Sequence, residues 1–327
     1  MEYLSRLLRD TSRTFALSIE GLPEALREEM TVAYLLFRVS DYLEDHAEIS
    51  AEEKITLLRQ WDEVLGDTTS IDAFIRSLQA IPHEDDDPEA MVALESGSLL
   101  MNLRRFPPPT HDTIIRRVRE TTRGMATWQT KGARVDNEDE LDDYMHHVAG
   151  IVGYLVTELF AAHSRFISRR LDTLMPLARE FGLALQTVNV IRGLRKDYLR
   201  GWIFVPKSYC SARGLTPDEL FSPERVDSAL AVIDDLAAKG ERHLLSGLAY
   251  VRSLPRHMHR LRLACMWPML FAAKTLAISR NNPAIFTGEA KIGRETVKHI
   301  MRMSSLYGWS NVWLKGYTMK LLHAPHA

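Results

Sequence analysis

The stretch Pro23–Asp45, PEALREEMTVAYLLFRVSDYLED, decides the fold class. Pro23 suits the first turn of a helix, and acidic and apolar residues follow it at helical spacing. The middle, TVAYLLFRVS, is apolar enough to lie in a core, so the stretch predicts one long, largely buried helix. Just beyond it, Ser50-x-x-Glu53 has the spacing of a capping box that opens a second helix. The same 3.6-residue periodicity fills most of the chain, whereas alternating Val/Ile/Thr-rich runs and Asn-Gly hairpin turns are nearly absent. Further helices are predicted over 112–124, 138–164, 172–199, 223–254, 258–279 and 293 to about 322. The acidic loop His83–Pro88 precedes another helix, and the prolines after Phe106 should stop one. Connections are short, and no linker, repeat or low-complexity tract appears. The expectation is an all-α protein, one domain over 1–327, of about ten helices.

Composition narrows the function classes. The 327 residues carry 41 basic and 43 acidic side chains, a net charge of −2, which argues against a nucleic-acid binder with a global basic field. Hydrophobic residues make up 46% and charged residues 26%, as in ordinary soluble domains. Cys210 and Cys265 are too few for a disulfide scaffold and fit a reducing cytoplasm. The first residues, MEYLSRLLRDTSRTF, have no apolar signal-peptide core. The longest apolar run, Leu261–Ile278, is broken by Arg262, Pro268 and Lys274, so no transmembrane helix is expected. Peripheral membrane contact stays open, because sequence excludes spanning better than it excludes lying on a surface.

Two polar faces carry the chemistry. Asp41, Glu44 and Asp45 are related by i, i+3 and i+4, which places three carboxylates together on one helix. Like charges at this spacing repel, and a cation reverses that cost; oxygen ligands of this kind suit Mg²⁺. Arg38, one turn earlier, could meet a phosphate or pair with Asp41. On a second helix Asn189, Gly193 and Asp197 form one stripe, with Gln186 on an adjacent line and Arg192 and Lys196 flanking it. The plain alternative for each is a solvated helix edge.

Taken in order, these pieces resemble the squalene/phytoene synthase family, its squalene-forming members most closely. The matching residues are Ser12-Arg-Thr-Phe15; Tyr34, Arg38, Asp41, Glu44 and Asp45; Gly124-Met-Ala126; Tyr144-Met-His-His-Val-Ala-Gly-Ile-Val-Gly153 with Leu159-Phe160; Gln186, Asn189, Arg192 and Asp197; Gly201-Trp-x-x-x-Pro206; Cys265-x-x-Pro268; and Lys291-Ile-x-Arg294. They span about residues 5–305. The resemblance implies the isoprenoid (terpenoid) synthase helical fold around a central apolar cavity. It implies head-to-head joining of two farnesyl diphosphates, through presqualene diphosphate, to squalene, with Mg²⁺ and NADPH.

By the same resemblance, Asp41, Glu44, Asp45, Asn189 and Asp197 are expected to hold metal. Ser12, Arg13, Phe15, Tyr34, Arg38, Gln186 and Arg192 are expected to bind the diphosphate substrate. Tyr144 is expected to handle a proton in cyclopropane formation, alongside catalytic Asp41 and Asp45. Lys207, Lys291 and Arg294 are expected near the reductive step and NADPH. The family usually has Asp where this chain has Gly193 and an acidic residue where it has Lys196, so the second face lacks its middle carboxylate. That departure keeps alternatives alive: a product that stops at presqualene diphosphate or dehydrosqualene, a phytoene-type substrate, or a non-catalytic assembly factor.

Several residues allow two readings. Gly150 and Gly153 leave room either for close helix packing or for a prenyl tail. His146 and His147 could be bases, but structural or surface roles are the commoner fate, and their spacing is not that of a zinc site. The run after Gly293 has Trp309, Trp313 and Tyr317 beside Lys315 and Lys320, and could pack on the core or lie on a bilayer.

Overall fold

A computed structural model of the chain describes residues 1–84, 86–288 and 290–323; the side chain of Arg13 also lies outside what is described. Asp85, inside the predicted acidic loop, is among the undescribed positions. The regular elements of the described residues are all helices, joined by short loops, with no strand and only an isolated bridge between Arg134 and Ile203. They divide into two compact units, Met1–Gly132 with Tyr154–Leu171, and Ala133–Gly153 with Asp172–Ala327.

The first unit begins with α1 (Glu2–Thr11), α2 (Arg13–Glu20), α3 (Glu24–Asp45), α4 (Ala51–Leu65) and α5 (Ile71–Gln79). It continues with α6 (Pro88–Leu94), α7 (Ser96–Leu103) and α8 (Pro108–Lys131). The predicted long helix is α3, with Pro23 one residue earlier than expected, as its N-cap. Its apolar middle is buried: Val32, Leu35, Leu36, Val39 and Leu43 are all inaccessible. Fully burying each such side chain contributes roughly 1.5–3 kcal/mol. Packing against α4, α6, α7 and α8 makes α3 the axis of this unit. Ser50 and Glu53 form both halves of the capping box that opens α4. The end of α3 is fixed from outside: the Glu44 carbonyl accepts Lys54 Nζ at 2.8 Å and Gln129 Nε2 at 3.5 Å. Those donors satisfy a carbonyl that the helix itself leaves unpaired. The bounds of α8 differ from expectation, since the helix predicted over 112–124 runs Pro108–Lys131. Pro108 and Pro109 open α8 rather than merely ending α7, because a first-turn residue needs no N–H donor.

The second unit holds α9 (Glu138–Met145), a π-helical turn at His146–Gly150, and the start of α10 (Ile151–Ala162). The short α11 (Arg165–Ser168), like most of α10, belongs to the first unit. Then come α12 (Leu171–Leu199), α13 (Lys207–Ala212), α14 (Val226–Ser253), α15 (His259–Ser279), α16 (Arg294–Tyr307) and α17 (Asn311–Leu322). The π-turn lies directly against α12. A Cβ on Gly182 would come within 2.4 Å of the Ala149 carbonyl oxygen, and one on Gly153 within 2.2 Å of the Ala178 oxygen. Gly150 and Gly153 therefore serve close helix packing, which decides one of the two readings left open above. The predicted C-terminal run is two helices, broken at Gly308–Ser310, where Ser310 caps α17 by accepting from the Trp313 N–H.

By length and composition alone, residues Glu138–Ala162 and His259–Ser279 could each cross a membrane. The second is α15, which is mostly buried and carries Arg262 inside the fold. That guanidinium donates to the carbonyls of Val251, Leu254 and Gly308 and to Asn311 Oδ1, at 2.7–3.2 Å. A buried charge satisfied by protein oxygens is the arrangement of a core helix.

Candidate functional site

The acidic face of the first unit lies at the end of α3. Tyr34, Arg38, Asp41 and Asp45 follow one another along one side of the helix, at steps of four, three and four residues. Arg38 Nη1 donates to Asp41 Oδ2 at 2.8 Å, and its Nη2 bonds to Glu89 on α6. Glu89 is a site residue that the sequence reading missed. Its only local signal is its place in the first turn of a helix that opens with Asp87 as cap and Pro88 at the first position. Burial pushes the Asp41 carboxyl up to about 6; Arg38 pulls it back, while the carboxylates of Asp45 and Glu89 push it further up. Burial works against the Arg38 charge, but Asp41, Tyr34 and Glu89 hold it more firmly than usual.

The three carboxylates of the motif are not equally placed. Asp45 is exposed and Asp41 half-buried, whereas Glu44 is buried. Among the described residues no three His, Cys, Asp or Glu side chains converge on a point that could hold a metal. What α3 offers is oxygen donors with excess negative charge around Asp41. That suits Mg²⁺, which takes one or two carboxylates and completes its shell with water and phosphate oxygens.

Around the same face, Ser12 Oγ accepts from the Phe15 N–H at 3.2 Å and so caps α2. The Phe15 ring is exposed and lies 6.0 Å from that of Tyr34. Burial raises the Tyr34 hydroxyl above its ordinary range, against the charge of Arg38 and hydrogen bonds to Ser12 and Thr11. Ser12, Phe15, Tyr34, Arg38, Asp41 and Asp45 are thus linked in one unit. The side chain expected of Arg13 lies outside the described residues.

In the second unit the predicted stripe falls within the unbroken α12. Asn189 is exposed and donates to Gln186 Oε1 at 3.1 Å. Asp197 pairs with Arg200 at 2.5 Å, a partner the sequence reading did not single out. The absent carboxylate has a visible consequence. A Cβ on Gly193 would lie 3.0 Å from Asp197 Oδ2, so the Asp197 carboxylate leans back over the glycine. Arg192 is half-buried and Lys196 exposed. Both faces share a pattern: an aspartate held by an arginine three residues away, Arg38–Asp41 and Asp197–Arg200.

Tyr144 is buried on α9, with its ring stacked on Phe204 at 4.3 Å; Phe204 in turn stacks on Trp202 at 5.3 Å. The opposite side of α9 is tied down by charge. Glu138 accepts from Tyr209, Lys239 and Arg242 at 2.5, 3.2 and 2.6 Å. Asp142 pairs with Lys239 at 2.5 Å and with His243 at 3.5 Å, and His243 Nδ1 meets Glu180 at 2.6 Å. Lys239 is wholly buried, which is tolerable only because two carboxylates meet it. His147 lies 3.8 Å from Asp143 and its ring 5.5 Å from that of His146. The three cations expected at the reductive step, Lys207, Lys291 and Arg294, are exposed. Both cysteines are free and buried, and burial pushes their thiols up, Cys210 to about 11 and Cys265 to about 12.

Comparison with known proteins places this geometry. The squalene/phytoene synthase family matches residues 8–296. Squalene synthase of Schizosaccharomyces pombe is 26% identical over 316 residues, covering 95% of this chain and 66% of that protein. The Homo sapiens squalene synthase is 29% identical over 287 residues, covering 88% and 65%, and that of Mus musculus is 30% identical over 288 residues with the same coverage. This chain thus spans just under two thirds of the length of these curated relatives. Among solved structures, TcSQS in complex with the ligand E5700 superposes with a TM-score of 0.84 at 24% identity, over 100% of this chain and 92% of that one. A dehydrosqualene synthase in complex with a ligand superposes with a TM-score of 0.66 at 18% identity, over 98% and 96%. At those identities the structures show a shared fold.

Proposed function

This chain belongs to the squalene/phytoene synthase family, and on that premise we propose that it joins two farnesyl diphosphates head to head, through presqualene diphosphate, to squalene. The family membership covers the fold, an all-α isoprenoid synthase fold; the reaction rests on the residues. The observation that carries it is the α3 face, where Arg38 is held between Asp41 and Glu89 next to Asp45. A guanidinium set among carboxylates can pass its fork to a diphosphate once a divalent cation takes over the carboxylates.

Bound Mg²⁺ would neutralise the leaving diphosphate; Asp41 and Asp45, supported by Glu44, would be its ligands on α3, and Asn189 and Asp197 would be metal ligands on α12. Arg38 and Arg192, with Arg13, would stabilise charge that develops on the phosphate oxygens. Ser12, Phe15, Tyr34 and Gln186 would position the substrate. The Tyr144 hydroxyl would hold the proton at the cyclopropane-forming step. Its stack with Phe204 and Trp202 gathers aromatic rings whose π electrons suit a carbocation. NADPH would supply hydride. Lys207, Lys291 and Arg294 are exposed cations suited to its phosphates. The buried reduced thiols support a cytoplasmic setting.

The test is product analysis with labelled farnesyl diphosphate and Mg²⁺, with and without NADPH. Squalene that requires NADPH supports the proposal. Presqualene diphosphate or dehydrosqualene under both conditions would reassign the product. No product from the wild type, with product from Gly193→Asp, would favour an assembly role, the reading that Gly193 and Lys196 in the second polar face suggest.

A further inference from the structure

One end of the second unit is unlike the rest of the chain. There the turn between α14 and α15 meets the turn between α16 and α17. His259 Nε2 is 3.1 Å from the Ser305 carbonyl oxygen, and Asn311 Nδ2 donates to the Arg252 carbonyl at 3.0 Å. The buried Arg262 bonds oxygens on both sides of the junction, Leu254 O and Gly308 O among them. The two turns are therefore held as one rigid surface.

That surface is apolar and basic together. Leu306, Tyr307, Trp309 and Val312 are 55%, 45%, 57% and 84% exposed. Such large side chains, gathered at one turn, are not the scattered apolar residues of an ordinary surface. Behind them Trp313 stacks on Tyr317 at 4.7 Å and lies 5.9 Å from the tilted ring of Tyr307. Arg252 and Arg256 on the adjoining turn are exposed as well. Along the chain, no acidic residue occurs between Glu241 and Glu289 or after Glu295, although the whole chain carries a net charge of −2. Glu241 lies about three turns of α14 below Arg252, against His323 at the far end of α17.

We infer that this end is a docking surface for an anionic lipid bilayer. Trp and Tyr favour the bilayer interface, where an apolar ring and a polar edge are both satisfied. Exposed arginines around them meet the negative surface potential of anionic lipid. A protein partner of opposite charge would meet the arginines but would leave Val312 and Leu306 to be buried in a matching groove. A bilayer accepts both without such a match. The inference does not depend on the reaction proposed above.

The 327-residue chain is mixed with vesicles of phosphatidylcholine, with and without phosphatidylglycerol, and bound protein is measured by sedimentation. Binding is expected only to the anionic vesicles. Arg252→Gln with Arg256→Gln should weaken it by about 25-fold, from a factor of about five for each cation removed. Trp309→Ser with Val312→Ser should abolish it. Brominated acyl chains should quench tryptophan emission in the wild type and lose most of that effect in Trp309→Phe. Both apolar positions are exposed, so melting temperatures should be unchanged; if the double variant unfolds, Val312→Ser alone serves. No binding to anionic vesicles overturns the inference. So does equal binding by the variants, or light scattering that shows a dimer lost on Trp309→Ser.

Discussion

Asp41 and His243 show how single side chains are set by their neighbours. Asp41 is ionised near neutrality, above its raised value of about 6, in the presence of Asp45 and Glu89. Removing its charge should therefore disable a metal-assisted ionisation: Asp41→Asn is expected to lower kcat by 10²-fold or more, the scale of losing one prepositioned charge-stabilising group, read by single-turnover product formation. Burial of His243 works against its charge, but hydrogen bonds to Asp142 and Glu180 outweigh it and hold the imidazolium above its ordinary value. A raised histidine contributes stability that is complete below its unfolded value near 6.5 and is lost as pH rises through the folded value. Urea midpoints should thus fall from pH 6 upward through that range, and His243→Gln should flatten this part of the profile. An unchanged profile would count against the pairing. Gly193 belongs to this scale too. The sequence reading saw an absent carboxylate; where the Asp197 carboxylate goes in its place depends on side-chain torsions that no spacing encodes.

At the scale of elements, the segment from α9 through the π-turn is held between two different kinds of contact. Against α12 it is a close backbone approach. Gly182→Ala or Gly153→Ala would force a methyl into a carbonyl oxygen and is expected to cost about 1–3 kcal/mol, measured by denaturant unfolding. Against α14 it is the charge cluster around Lys239. Lys239→Met removes the cation between Glu138 and Asp142, and is expected to destabilise by about 3 kcal/mol, partly recovered by also making Asp142→Asn. If the single change proves neutral, solvent rather than Lys239 balances those carboxylates. Helix existence was legible here, because periodicity is a local property. The π-turn was not, since its extra residue is stabilised by what it packs on. Likewise Pro108 reads as a stop in isolation and becomes a start once the next helix has formed.

For the molecule as a whole, the expected effect of substrate is linkage. A non-reactive farnesyl diphosphate analogue at 100 times its dissociation constant should stabilise by about 2.7 kcal/mol. That shift should require Mg²⁺, since the carboxylates of α3 otherwise repel the diphosphate. A thermal shift that is the same with and without Mg²⁺ would remove the metal from the α3 face. By itself, the sequence determined the helical class, the ends of the long helices α3, α12, α14 and α15 to within a few residues, and the residues along the two polar faces, although it counted about ten helices where the described residues form more, shorter ones. It also determined the family, because helical periodicity, caps and ordered motifs are written in neighbours along the chain. Only the tertiary structure decided that Glu89 joins Arg38 and Asp41, and that Gly150 and Gly153 serve packing. It alone brought Lys239 between two carboxylates, and two distant turns into one basic aromatic surface. Those are meetings of side chains distant along the chain, and burial, which sets their charge and exposure, exists only after the helices have packed.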